Sequence, residues 1–518
     1  MKNRIYTTAS AVTALSVLER GLGFLYRIVL SRLIGAEGLG IYQVALSAFS
    51  LFLTIGTGGI PITVSRMIAK NKAENNPQGE SGSVTAGFCL SLALTLPACL
   101  FFLLFGGKAT FLFSDERCAE VFKILMIGLI FSSLYAVIRG SFWGNKQLLL
   151  PSVTELAEES VMVIAGVLLL QNVSTPFSGA IKAAWAVVIS YFFSFTVSIL
   201  CYLWKGGTIS KPKNYLKPLF NATLPITSVR ASSSFVNSAI AVLMPVMLIR
   251  AGATETQALQ LFGVFSGMVL PVLFIPSTII GSLSLVLVPE LSEDFYKKEY
   301  EKVKTNVKRG LQAALLIACA LIPFFYVFGE DVGKIAFANQ KAGVLIKNSA
   351  FLLLPMSLTL ISTGMLNSLG YEKQTFVYYF IGAAALLLCI LSFTRVFGIY
   401  SYVLGLFLSF SLNALFNLLT LWKSCFKSKK RKGQVRVHAC LVPIFLIFPL
   451  CLLGGIFNSV FKIFFSPLLC LFFSGLALAF CTFLLYACLQ VLPLHSFVSS
   501  FKKRHVKERK RKFSYGKT

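Results

Sequence analysis

The sequence predicts an all-α polytopic membrane protein of about 14 transmembrane helices. Three observations carry that expectation. Of 518 residues, 56% are hydrophobic and only 13% are charged, roughly half the charged share of a soluble domain. The apolar residues form continuous runs, such as 90–105 and 463–485, where a membrane β-barrel would alternate apolar and polar positions. The net charge is nevertheless +28, and its distribution fits a membrane topology. A soluble chain of this composition could not cover its apolar surface, and a disordered one needs low hydrophobicity.

A helix needs about 20 mainly apolar residues to cross ~30 Å of hydrocarbon. Stretches of that kind lie near 8–33, 39–65, 83–106, 121–143, 151–171, 180–204 and 221–249, then 258–288, 310–328, 348–369, 375–393, 399–422, 439–457 and 464–491. The first could be mistaken for a secretory signal, because Lys2 and Arg4 precede it. It meets Glu19 and Arg20 and runs on without a small-residue cleavage site, so it reads as a retained span. With the N-terminus inside, 34 of the 48 basic residues fall on inner segments. These include Arg139, six in the 290–309 loop, seven in the 423–436 loop and nine in the tail. Ten fall on outer segments, and Arg20, Arg27, Arg32 and Arg230 lie inside spans. This positive-inside bias predicts both termini in the cytoplasm.

A weak internal duplication is visible. Leu39-Gly-Ile-Tyr-Gln-Val44 matches Leu259-Gln-Leu-Phe-Gly-Val264, and each segment follows a span with a buried arginine. Gly144-Asn-Lys-Gln147 and Gly370-Tyr-Glu-Lys-Gln374 sit in equivalent inner turns. The plan expected is two six-helix lobes in parallel repeat, 1–220 and 221–425, then two C-terminal helices over 426–501 and a basic cytoplasmic tail, 502–518. Glycines 56, 58 and 59 allow close backbone approach, and Gly263-Val-Phe-Ser-Gly267 and Gly140-Ser-Phe-Trp-Gly144 match the GxxxG packing pattern. Pro271 and Pro276 are expected to bend the eighth span.

Charge inside a span costs a few kcal/mol and usually faces a partner or a wet cavity. Arg20 and Arg27 are seven apart and share a helix face. Arg32 snorkels near the outer end. Arg230 lies among Thr227, Ser228, Ser232, Ser233 and Ser234. Glu155, Glu158 and Glu159, spaced by three and four, fall on one face of the fifth span. Arg20, Arg27 and Arg230 suit a pyrophosphate, since the guanidinium fork donates paired hydrogen bonds and stays charged. Glu19, Glu155, Glu158 and Glu159 are the candidates for coupling or gating, with static Arg–Glu pairing as the alternative. Enzymatic constellations are absent: there is no HExxH, GxSxG, zinc cluster or nucleotide-binding GxxxxGK[ST] loop. No catalytic residue, metal site or cofactor is expected. Any driving force would come from a coupling ion, Na+ or H+, or from the membrane potential. The tracts at 427–432 and 502–512 suit anionic membrane lipid rather than nucleic acid. The twelve cysteines read as packing residues.

The first span continues as Arg20-Gly-Leu-Gly-Phe-Leu-Tyr-Arg27, then Arg32-Leu-Ile-Gly-Ala-Glu-Gly-Leu-Gly-Ile-Tyr42. This resembles the R-x-L-G-F-x-x-R-x-x-x-x-R-x-I-G-x-E-G-x-G-x-Y opening of the stage V sporulation protein B family, a polysaccharide-exporter branch of the MOP (MATE-like) flippases. Gly59-Ile-Pro-Ile-Thr-Val-Ser-Arg66, Thr154-Glu-Leu-Ala-Glu-Glu159, Pro225-Ile-Thr-Ser-Val-Arg230 and Phe274-Ile-Pro-Ser-Thr-Ile279 follow in order. Where related MurJ-type flippases carry Arg-Asp, this chain has Tyr26 and Arg27. The resemblance implies alternating-access flipping of an undecaprenyl-pyrophosphate-linked saccharide, such as lipid II, across a bacterial cytoplasmic membrane. Its implied partners are the lipid-linked oligosaccharide, membrane lipids and cell-wall synthesis proteins, in a polysaccharide, peptidoglycan or sporulation setting. Two other readings stand beside it: a cation-coupled multidrug exporter of the MATE type, and a non-transporting cell-wall assembly scaffold.

Overall fold

The computed structural model describes residues 2–105, 113–212, 214–426 and 438–489. Among these residues there are sixteen α-helices and no strand. In chain order they are α1 (Lys2–Thr57), α2 (Ile60–Ala73), α3 (Pro77–Phe105), α4 (Glu116–Gly144), α5 (Leu149–Leu170), α6 (Pro176–Trp204), α7 (Leu216–Arg250) and α8 (Glu255–Phe262). A π-helical turn, Gly263–Val269, leads into α9 (Leu270–Tyr296). Then come α10 (Tyr300–Phe337), α11 (Gln340–Ser349), α12 (Leu353–Ser368), α13 (Glu372–Phe397), α14 (Tyr400–Phe426), α15 (His438–Phe464) and α16 (Pro467–Cys488).

Twelve helical stretches among the described residues are long and apolar enough to cross a membrane. One of them, Ser10–Ala73, has 64 residues. At ~1.5 Å per residue it would be about three times longer than the hydrocarbon core is thick. It is broken at Gly35 (φ 70°, ψ −177°), which divides α1 into two crossings. Helix α5, 22 residues long with three glutamates, is the fifth span expected at 151–171. Counting both brings the total to about fourteen. The chain is a multi-pass membrane protein.

Local signals set the helix ends. Asp115 caps α4 by accepting from the Arg117 backbone N–H. Thr175 with Ser178, and Thr254 with Gln257, form capping boxes that open α6 and α8. The π turn lies directly before Pro271, whose ring cannot sit against an α-helical carbonyl four residues back. The bend expected at Pro271 is thus accommodated by a wider turn. The 290–309 segment, expected as a loop, is almost wholly helical: α9 runs to Tyr296 and α10 restarts at Tyr300. Pairing of Glu293 with Lys297 and of Glu299 with Lys302 lets those charged turns extend beyond the apolar stretch.

The chain divides into two compact units. Unit 1 comprises residues 1–271 and 387–402, and unit 2 residues 272–386 and 403–518. In unit 1, α1 packs on α4, α5, α6 and α7, and on α8 with its π turn. The two duplicated segments meet here: a Cβ on Gly263 would lie 2.7 Å from the Gly40 Cα. That contact is backbone against backbone, so neither position tolerates a side chain. A second cluster joins Ile60, Val64 and Ile68 of α2 to Val84, Val137, Ile138 and Leu219. Gly140 of α4 comes equally close to the Pro61 backbone. At the Gly35 end, Arg117 binds Glu37 at 2.6 Å and Asp115 at 2.7 Å, pinning the start of α4 to the turn in α1. In unit 2, α10 packs on α11, α12, α15 and α16. Lys347 to Glu330 (2.8 Å) and Lys462 to Asp331 (3.1 Å) tie α11 and α15 to the end of α10. The basic tracts at 427–432 and 502–512, with His495 and His505, lie outside the described residues.

Candidate functional site

The charged residues of the spans gather in unit 1, around the first half of α1. Positions 19, 23 and 27 follow one another at i, i+4 spacing, so Glu19, Gly23 and Arg27 form a strip along α1. Glu159 of α5 occupies the gap that Gly23 leaves. A Cβ there would lie 2.7 Å from the Glu159 Oε1. Glu159 is within electrostatic reach of Glu19 and Arg27. Lower on α5, Glu155 accepts from Arg139 Nη1 of α4 at 2.8 Å. Glu19 feels both partners of that pair as well as Arg20. Glu158, between the other two, faces α6 beside Ser194 and Tyr191. The three glutamates therefore fan across one face of α5 toward three different neighbours, α4, α6 and α1.

Arg139 is the functional-looking residue that sequence reasoning assigned to an inner loop. It lies within α4, with its guanidinium over the rings of Tyr135 (5.7 Å) and Trp143 (5.2 Å). Its Nε is buried without a partner. The available signal was its place inside the 121–143 apolar stretch, sixteen residues before Glu155.

Arg20, Arg27 and Arg230 behave differently. Their side chains are exposed, and among the described residues none of them takes part in an ion pair. Arg20 and Arg27 sit on α1 beside the α5 carboxylates. Arg230 is on α7, beside the α1–α2 junction, where its Cδ would lie 3.6 Å from a Cβ at Gly58. It is not in contact with the glutamate cluster. The break at Gly58 and Gly59 between α1 and α2 brings α7 close, with Thr227 Oγ1 2.7 Å from the place of a Gly59 Cβ. Two further hydrogen bonds hold this junction, Thr54 Oγ1 with Ser234 Oγ (2.7 Å) and Ser238 Oγ to the Ser47 carbonyl (2.5 Å). Arg230 is thus presented from a fixed helix pair. Among the described residues there is no group of three metal-ligating side chains.

The profile of the polysaccharide biosynthesis protein family matches residues 6–295, more than half of the chain. The chain belongs to that family. Within this family setting, it is 25% identical over 348 residues to the stage V sporulation protein B of Bacillus subtilis (strain 168), covering 64% of this chain and 67% of that protein. It is 21% identical over 345 residues to the lipid II flippase MurJ of the same organism, covering 61% of this chain and 63% of that protein. Among solved structures, a lipid II flippase MurJ in an inward closed conformation superposes with a TM-score of 0.70 at 13% identity, over 92% of this chain and 99% of that one. An inward-facing MATE-family multidrug resistance transporter of the MOP superfamily superposes at 0.64 and 14% identity, over 79% and 97%. The polysaccharide biosynthesis family member described here therefore shares its fold with those two transporter structures, as its first-span motif led one to expect.

Proposed function

We propose that the protein is a flippase for a polyprenyl-pyrophosphate-linked saccharide, of the lipid II kind, moving it from the inner to the outer leaflet of a bacterial cytoplasmic membrane. The observation that carries this reading is the contrast among the span arginines. Arg139 is matched by Glu155, whereas Arg20, Arg27 and Arg230 have no carboxylate paired to them among the described residues. An unmatched guanidinium inside a span costs a few kcal/mol. A dianionic pyrophosphate compensates that charge and accepts two-pronged hydrogen bonds. The relationship to a lipid II flippase supports the substrate class. The sugar would cross in the polar interior while the polyprenyl chain stays in lipid.

Rocking between two states requires a ligand or ion that binds them unequally. Glu19, Glu155, Glu158 and Glu159 are assigned that role, as acceptors of Na+ or H+ or as charges moved by the membrane potential. Cation-coupled drug export is the second reading, favoured by this same local group of four carboxylates on α1 and α5. Proteoliposomes separate the two. Expected is translocation of a pyrophosphate-linked lipid that Arg20→Ala and Arg230→Ala each slow. Export of organic cations by the same vesicles, with the lipid left unmoved, would favour the exporter.

A further inference from the structure

At the loop end of unit 1 away from Gly35, three helices finish, α2, α4 and α6, and α3 begins. A cavity of about 380 Å³ lies between them, within the usual size range of small-ligand sites. Its charged lining residues are Lys72, Lys205 and Glu80. Lys72 Nζ donates to Asn145 Oδ1 at 2.7 Å, and Lys205 Nζ donates to Gln147 Oε1 at 2.7 Å. Lys205 also stands over the Phe142 ring, 5.8 Å from its centroid. Amide oxygens orient an ammonium group but bring no negative charge to it, and each ammonium keeps two further donors. The one carboxylate in the lining, Glu80, makes no ion pair with either lysine among the described residues. The backbone fixes this arrangement, since Lys146 (φ 59°) and Gly206 (φ 80°) are both left-handed, and these two residues flank Gln147 and Lys205. Ile68, Val84 and Tyr202 supply the apolar wall.

We propose that this cavity binds a phosphate-bearing anion, at a site separate from Arg20, Arg27 and Arg230. Lys72 and Lys205 hold the phosphate oxygens, and Asn145 and Gln147 keep the two ammonium groups aimed inward. The phosphate belongs either to an acidic phospholipid headgroup or to a soluble phosphate compound. Occupancy would tie together the ends of α2, α4 and α6. This inference does not depend on what the protein transports.

The test uses the full chain with Arg20→Ala, Arg27→Ala and Arg230→Ala already in place, so that the span arginines do not contribute. One arm titrates inorganic pyrophosphate into detergent-purified protein. The other measures binding of labelled phosphatidylglycerol, against phosphatidylcholine, in nanodiscs. Saturable binding is expected in one arm, and which arm responds identifies the source. Lys72→Gln and Lys205→Gln should each weaken it about tenfold, the loss of one charge-assisted contact. Glu80→Gln should tighten it about threefold by removing a like charge. Both lysines are exposed, and an unchanged melting temperature will show that their variants are folded. Absence of saturable binding in both arms, or binding that the folded Lys72→Gln/Lys205→Gln double variant retains, would overturn the proposal.

Discussion

At the scale of single residues, the three guanidinium groups that form no ion pair among the described residues and the one that is ion-paired should respond differently to substitution. Replacing Arg139 by Ala leaves Glu155 half-buried and unpaired. Because each side chain of the pair is about a quarter exposed, the cost should be about 2 kcal/mol, below the ~3–5 kcal/mol of a fully buried pair. Removing both with Arg139→Met/Glu155→Met should recover much of that loss, read as melting temperature in detergent. Arg20→Ala and Arg230→Ala should leave the melting temperature unchanged or raise it, since each removes a charge that is costly within a span. Each should weaken binding of a pyrophosphate-linked lipid by about tenfold or more, as charge-assisted hydrogen bonds are worth ~1.5–3 kcal/mol. Lysine at these positions should restore only part of the affinity, since it keeps the charge but loses the planar fork. The charged residues of α1, α5 and α7 were legible from the sequence, because a charge inside an apolar run announces itself. Arg139 was not, since it lies one turn from the end of its span, where topology alone accounts for a basic residue. Nor could the sequence say that Glu155, Glu158 and Glu159 address three different helices. That depends on how α4, α6 and α1 surround α5.

At the scale of elements, close helix contacts should matter more than the charges between them. Gly40 and Gly263 meet backbone to backbone, so Gly40→Ala must push α1 and α8 apart, at about 1–3 kcal/mol. Gly23→Ala meets only the far end of the flexible Glu159 side chain, which can swing aside. Its melting temperature should stay within a degree or two of the parent while transport changes, because the carboxylate beside Arg27 has moved. Gly35→Ala should cost about 1–3 kcal/mol for a different reason: the left-handed φ at the turn of α1 disfavours any Cβ. Spans were the best-read feature of the sequence, because hydrophobic length reports membrane crossing directly. Their ends were not. Most helices extend a turn or more past the apolar stretch, and the 290–309 segment is helical because ion pairs and helix propensity persist where hydropathy stops. The short similarity between 39–44 and 259–264 was visible as sequence. That the two segments pack on each other was not, since similarity carries no information on contact.

At the scale of the whole molecule, the excess of lysine and arginine on one set of loops sets the expected orientation. Glu74 and Glu255 are exposed and lie on opposite sets of connections. On a cysteine-free background, Glu255→Cys should react with an impermeant maleimide in intact cells, and Glu74→Cys only after permeabilisation. The reverse pattern would invert the topology and place the Lys72–Lys205 cavity on the outside. The fold class followed from composition and run length, which are global quantities. The proposed substrate rests instead on a few side chains, the three span arginines above all. The decisive measurement is translocation of lipid II, or another pyrophosphate-linked saccharide, in proteoliposomes, comparing the native chain with Arg20→Ala/Arg27→Ala/Arg230→Ala at equal reconstitution. Robust flipping by the native chain and none above empty vesicles by the folded triple variant is the predicted result. Equal flipping by both would contradict the assignment of these arginines to the pyrophosphate.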